Sequence, residues 1–159
     1  SYTVEVPGGV DSGATLRLTG RGAVGPRSGA AGDLFVHVRV APDDRFDRDG
    51  EDLHLELPIA FTQAAIGTRI VVDTLDGSEE LEIAPGASTG DAFRFRGRGV
   101  PRLRGRGRGD LIIRLVVETP TDLDDEQRAL LVHLAELRGE HLDPPEQGLL
   151  ARLRGAFTR

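Results

Sequence analysis

Up to Thr119 the apolar residues of this chain fall mostly on every second position, and beyond it they fall on every third or fourth. Leu53, Leu55, Leu57 and Ile59 alternate with polar neighbours and predict a half-buried strand. Residues 62–66 fit a short helical turn that Gly67 stops. Strands over about 69–75 and 79–83 flank Asp76-Gly77, a dipeptide suited to the positive φ angles of a tight hairpin. A strand through Phe93 and Phe95, an Arg/Gly loop and a strand over 111–117 follow. Ahead of these, the pattern predicts strands at 2–6 and 14–18 and another through Val36, Val38 and Val40. After Thr119-Pro120 the period of about 3.6 predicts a helix over about 122–138, capped by Thr121 or Asp122. Asp124, Asp125 and Glu126 suit its positive end, and Gly139 can stop it. A linker at 143–146 leads to a tail, 148–159, where Leu149, Leu150, Leu153 and Phe157 predict a second, very short amphipathic helix.

The chain also matches itself without a gap at an offset of 77 residues. Val4–Gly9 lies over Leu81–Gly86, Gly13 over Gly90, and Leu16–Gly22 over Phe93–Gly99. Gly32-Asp33-Leu34 lies over Gly109-Asp110-Leu111, and Val36, Val38 and Val40 lie over Ile113, Leu115 and Val117. Glycines alone coincide by chance; glycines, the Gly-Asp-Leu triplet and alternating strands together indicate a duplicated β unit. The first copy shows only the latter half of the plan, so the chain divides into that half unit at 1–42, a whole unit at 43–120, a helix at 121–139, and a linker with tail at 140–159. The opening residues read as a strand in mid-course, which predicts a fragment of a longer protein.

Composition narrows the chemistry. The longest apolar runs are a few residues, far short of the ~20 a membrane-spanning helix requires. With no Cys there is no disulfide framework, no thiolate zinc site and no cysteine nucleophile, and a cytoplasmic setting fits. His37, His54, His133 and His141 are scattered and no two have metal-ligand spacing. Asp43-Asp44 precedes a turn, and the acids at 122–126 open a helix, so neither needs an acid/base role. The Gly-x-Gly stretches at 97–99 and 105–109 lie between strands, where no helix N-terminus is available to hold a phosphate. All 20 basic residues are Arg, and seven of them, with no acid, fall between Arg94 and Arg108. That loop permits a nucleic-acid or anion-binding reading. Against it stand the net charge of −6 and the want of interleaved aromatics, since Phe93 and Phe95 are in core phase; a solvated hairpin loop is the simpler reading.

In their order and spacing, several stretches together resemble the C-terminal region of the DnaJ co-chaperones. They are Val6–Gly13, Arg17–Gly22, Gly32–Leu34, Phe46–Leu53, Leu75–Gly77, Gly97–Pro101 and Gly109–Leu111, and the resemblance covers about residues 2–138. It is similar to the part that follows the zinc module in the zinc-containing class. The resemblance implies a mainly β fold of two tandem, similar β-sandwich or barrel-like subdomains, the first truncated here, followed by a C-terminal helix. It implies a non-enzymatic module that binds exposed hydrophobic segments of unfolded polypeptides, limits their aggregation and, in a longer parent, delivers them to a DnaK-type chaperone. Homodimerisation through the helix is implied as well, with Leu123, Leu130, Leu134 and Leu137 as its apolar stripe. The chain has no His-Pro-Asp triplet, J domain, Gly/Phe linker or Cys-x-x-Cys-x-Gly repeat. Stimulation of a partner ATPase is therefore not expected of it alone, and zinc is expected only in an upstream module of the parent, with no cofactor in this chain.

Phe46 is the leading candidate for contact with a client. It stands in an otherwise charged connector, Pro42–Gly50, where local burial of a large aromatic is hard. Two readings are open: a plug between the two units, or a wall of a shallow apolar groove. The resemblance supports the groove, because family members place a Phe of a similar connector at the peptide pocket. Leu16, Leu18, Val4 and Val6 are weaker candidates, since their phase suits a core equally well. A client added as an edge strand would gain sequence-tolerant main-chain bonds.

Overall fold

A computed structural model describes residues 3–25 and 29–143. The tail helix expected at 148–159 lies outside the described residues. Among the described residues the chain is mainly β, with one longer helix, and it forms two compact units, 1–119 and 120–159.

In the first unit, β1 (Thr15–Leu18) pairs antiparallel with β4 (Leu34–His37), and β2 (Val24–Gly25) with β3 (Gly29–Ala31) forms a small ribbon between them. β5 (Asp47–Asp49) turns at Gly50 into β6 (Asp52–Ala60), which runs straight into α1 (Phe61–Ile66). β7 (Thr68–Thr74) and β8 (Gly77–Ile83) form a hairpin closed by Thr74, whose hydroxyl donates to the Gly77 carbonyl at 2.7 Å and accepts the Asp76 N–H at 3.2 Å. β9 (Ala92–Phe95) and β10 (Leu111–Glu118) complete a four-stranded sheet of order β5-β6-β10-β9, in which β10 runs parallel to β6.

The duplication is written in the register. Thr15 faces His37 and Leu18 faces Leu34, just as Ala92 faces Arg114 and Phe95 faces Leu111, each residue displaced by the same 77 positions. Supporting bonds repeat too: Gly13 N–H to Val38 O at 2.8 Å matches Gly90 N–H to Leu115 O at 2.9 Å, and Gly22 N–H to Gly32 O at 2.7 Å matches Gly99 N–H to Gly109 O at 2.8 Å.

Burial separates the copies. Leu111, Ile113 and Leu115 are fully enclosed in one cluster with Ile59, Val72, Leu81 and Ile83, so the β7-β8 hairpin covers the sheet; each such side chain contributes about 1.5–3 kcal/mol. Their counterparts Leu34, Val36 and Val38 are only half-buried, because no described hairpin lies over β1 and β4. The strand expected at 2–6 is corrected for the same reason: residues 3–6 are irregular, whereas their counterparts in β8 are held by β7, for which the first copy has no described equivalent. The strand through Val36 also stops at His37, short of Val38 and Val40.

In the second unit, α2 (Asp125–Leu137) begins three residues later than expected. Its cap is Asp124 and not Thr121 or Asp122. The Asp124 carboxylate accepts the Gln127 N–H at 2.8 Å, and the Gln127 side chain returns a bond to the Asp124 N–H at 3.1 Å. Gly139, at φ 70°, follows the last turn.

Candidate functional site

A groove of about 490 Å³ opens in the first unit where the two copies of the repeat meet. Its apolar lining is Val40, Ala41, Pro42, Phe46, Leu53, Leu75 and Val100, and Asp11, Ser12, Asp43, Asp47 and Arg48 stand among them. Each side chain is placed by a local cause. Val40 to Pro42 continue the chain beyond β4, where the Val40 N–H donates to Ser12 Oγ at 3.0 Å. Leu75 projects from the turn of the β7-β8 hairpin, and Val100 is fixed by its N–H donating to the Glu51 carbonyl at 2.8 Å.

The junction is close. Gly9, at φ 88°, lies so near Pro101 that a Cβ there would stand 1.9 Å from the Pro101 carbonyl oxygen; only glycine fits. Arg48 clamps the same turn from the other copy, with Nη1 donating to the Val10 carbonyl at 2.9 Å and Nη2 to Gly9 at 2.8 Å.

Phe46 is both buried and part of the groove lining. It is 6% exposed and packs in the cluster that holds Leu53 and Val100, which lie beyond its charged connector. The Arg45 guanidinium lies 4.8 Å from its ring centroid, a cation–π contact that closes one face. Arg45 is held by Asp43: its N–H donates to Oδ1 at 2.9 Å, and that bond, followed by those from the guanidinium, keeps the Asp43 carboxyl below its ordinary value of 3.8. Phe46 thus forms the floor of the groove, while Val40, 42% exposed, and Leu75, 47% exposed, offer free apolar surface at its sides.

Leu16, Leu18, Val4 and Val6 are not in this lining. Leu16 and Leu18 are half-buried on β1 opposite Val36 and Leu34, Val4 is half-buried and Val6 is exposed. Leu16 and Leu18 belong to the face that the first copy leaves half open. Sequence reasoning missed Val40, Leu75, Val100 and Arg48 as parts of the site. Leu75 carried a signal: it is an apolar residue on the outward phase of a strand, next to a turn.

In the second unit Leu123, Leu131, Leu134, Ala135 and Leu142 line a smaller pocket of about 340 Å³. Leu123 and Leu134 therefore meet locally, whereas Leu130 and Leu137 lie outside that pocket and are exposed. Among the described residues no helix is long and apolar enough to cross a membrane, and no three His, Asp or Glu side chains are grouped to hold a metal ion.

Comparison with known proteins agrees with this architecture. The DnaJ C terminal domain family matches residues 1–120. Over 99% of its length the chain is 48% identical to Chaperone protein DnaJ 2 of Streptomyces avermitilis and 49% identical to Chaperone protein DnaJ 2 of Streptomyces coelicolor, covering 43% of each. It is 46% identical to Chaperone protein DnaJ of Natronomonas pharaonis, over 97% of the chain and 40% of that protein. The chain thus spans about two-fifths of the length of these relatives. With its duplicated β unit, its groove at the junction and its terminal helix, the chain belongs to the DnaJ family of chaperones, through its C-terminal domain.

Proposed function

We propose that this chain is a client-binding module that holds exposed hydrophobic segments of unfolded polypeptides, keeps them from aggregating and, in a longer parent, passes them to a DnaK-type chaperone. The observation that carries this reading is the open, mainly apolar groove with Phe46 as its floor. A preformed apolar concavity with few polar groups suits sequence-tolerant capture of large apolar side chains and offers nothing arranged for catalysis. The half-open face of Leu16 and Leu18, with Val4 and Val6 nearby in sequence, supplies a second apolar surface for the same client, at the edge of a two-stranded sheet where an extended chain can add main-chain bonds. Pairing of two copies through α2 turns one grip into two.

The test is Val40→Ser combined with Leu75→Ser. Both side chains are exposed, so melting temperature stays within a few degrees, while affinity for a labelled apolar peptide falls about tenfold through loss of contact area. Suppression of aggregation of a denatured client falls in parallel. Unchanged peptide affinity in a folded double variant would show that the groove is not the binding site.

A further inference from the structure

Between Gly99 and Gly109 the chain forms a narrow ribbon whose base touches the groove. Pro101 bridges Arg108, and the Arg102 N–H donates to the Gly107 carbonyl at 3.1 Å. Arg108 secures one side, with Nε donating to the Gly99 carbonyl at 2.9 Å and Nη1 to Asp76 at 2.8 Å. Val100 and Leu75, the neighbours of Pro101 and Asp76, both line the groove, so the ribbon leaves it on that side. At ~3.3 Å per residue its tip extends roughly 10 Å from Pro101.

Arg102, Arg104 and Arg106 carry the tip. All three are exposed, and none has an acidic partner among the described residues. Leu103 is exposed between them.

The first copy of the repeat serves as a control. There Val24 faces Ala31 as Pro101 faces Arg108, and the sequence from Val24 to Ala31 holds one arginine, Arg27. The fold therefore builds this ribbon without an arginine array. Within the ribbon of the second copy, Arg108 is the arginine tied into the architecture, and Arg102, Arg104 and Arg106 are spare to it.

Three uncompensated guanidinium groups within five residues attract carboxylates and phosphates alike. Their surroundings choose between these. Arg98 and Arg108 bind Glu79 and Asp76, so the ribbon stands beside the β7-β8 hairpin, which also carries Asp73 and, sharing the single cation Arg69, Glu80 and Glu82. A nucleic acid extending beyond a Debye length of ~8 Å from the tip meets those carboxylates. A short acidic stretch of polypeptide meets only the arginines, and Leu103 gives it an apolar contact. We propose that the ribbon receives an acidic stretch bordering the apolar segment in the groove, so that the module prefers clients whose hydrophobic run adjoins Asp or Glu; this presupposes that the groove holds the run.

The experiment uses the 159-residue chain and labelled peptides with one apolar core and a tail of four Glu, four Ser or four Lys, placed before or after the core. In the better placement the Glu peptide binds about tenfold tighter than the Ser peptide at low salt, as three exposed ion pairs of ordinary strength give. The advantage fades at high salt, and the Lys peptide is weakest. Arg102→Ser, Arg104→Ser and Arg106→Ser together erase the advantage and leave Ser-peptide affinity unchanged, whereas the three corresponding Lys substitutions keep most of it. Equal affinity of wild type for Glu and Ser peptides, or an advantage that survives the triple Ser variant, overturns the ribbon inference and leaves the groove reading standing. Failure of every peptide to bind wild type overturns the groove reading, and the ribbon inference with it. An oligouridine that binds tighter than the Glu peptide and is lost in the triple Ser variant assigns the ribbon to nucleic acid instead.

Discussion

Arg48 reaches across the repeat boundary to Asp11, its Nη2 2.5 Å from Oδ1, while the same guanidinium donates to the carbonyls of Gly9, Val10 and Gly50 at 2.8, 2.9 and 2.8 Å. The carboxylate side chain is 70% exposed, so the ion pair itself contributes at most about 1 kcal/mol. The bond to Val10 is part-buried, and together with that to Gly9 it fixes the Gly9 turn against Pro101. Arg48→Ala is therefore expected to lower unfolding free energy by about 2–3 kcal/mol, and Asp11→Ala by well under half of that. Urea denaturation of the two variants decides the matter: equal losses would mean that the ion pair, and not the carbonyl clamp, joins the copies.

Gly32 and Gly109 occupy the same place in the Gly-Asp-Leu triplets, yet their surroundings differ. A Cβ on Gly109 would stand 2.0 Å from the Glu51 carbonyl oxygen and 2.7 Å from Asp52 Oδ1, since the start of β6 crosses there. On Gly32 its nearest neighbour is the Ala23 carbonyl oxygen at 3.7 Å, an ordinary contact. Gly109→Ala should cost on the order of 3 kcal/mol or more through overpacking, and Gly32→Ala less than about 0.5 kcal/mol. Thermal melts of the purified variants measure both. A tolerated Gly109→Ala would mean that β6 yields at this crossing.

These contrasts mark what the sequence could and could not convey. The 77-residue offset placed β1 on β9 and β4 on β10, and the pairing registers follow it residue by residue, because one alternation with one set of turn glycines admits one register. β2, β3 and β5 were illegible: β2 is two residues long, too short to show a period, and β3 and β5 are three residues each, exposed throughout. The strand at 2–6 misled because alternation signals a half-buried ribbon but not the presence of its partner. Phe46 stayed open between plug and groove wall for a related reason: its neighbours in sequence are charged, and its cluster partners, such as Leu53 and Val100, lie beyond that connector. The groove was legible only at Phe46, since a concavity between two copies depends on how their turns meet.

The burial of Phe46 makes Phe46→Ala a cavity-forming change, expected to cost about 3–5 kcal/mol. Binding measured on the folded fraction should fall as well, because the groove loses its floor. Phe46→Leu keeps most of the volume and should recover most of the stability but only part of the binding. Calorimetric melts paired with peptide titration separate the two effects. Full peptide affinity in a folded Phe46→Ala protein would remove this ring from the site.

The helix α2 distinguishes packing from pairing. Leu123 and Leu134 share a local pocket with Leu131, Ala135 and Leu142, so their apolar surface serves the unit itself. Leu130 and Leu137 are 64% and 73% exposed and gain nothing from that packing. In a symmetric dimer one patch is used twice, so each substitution removes two contacts. Leu130→Asp with Leu137→Asp is thus the cleaner test than a change at Leu134, whose side chain is shared between the pocket and the stripe. Light scattering should give twice the chain mass for wild type at tens of micromolar and the single-chain mass for the variant, with helical circular dichroism unchanged. The monomeric variant should keep its affinity for a short apolar peptide and lose avidity for a long denatured client, which spans two grooves. A wild-type chain already monomeric at that concentration would assign the exposed leucines to some other surface contact and leave each groove to work alone.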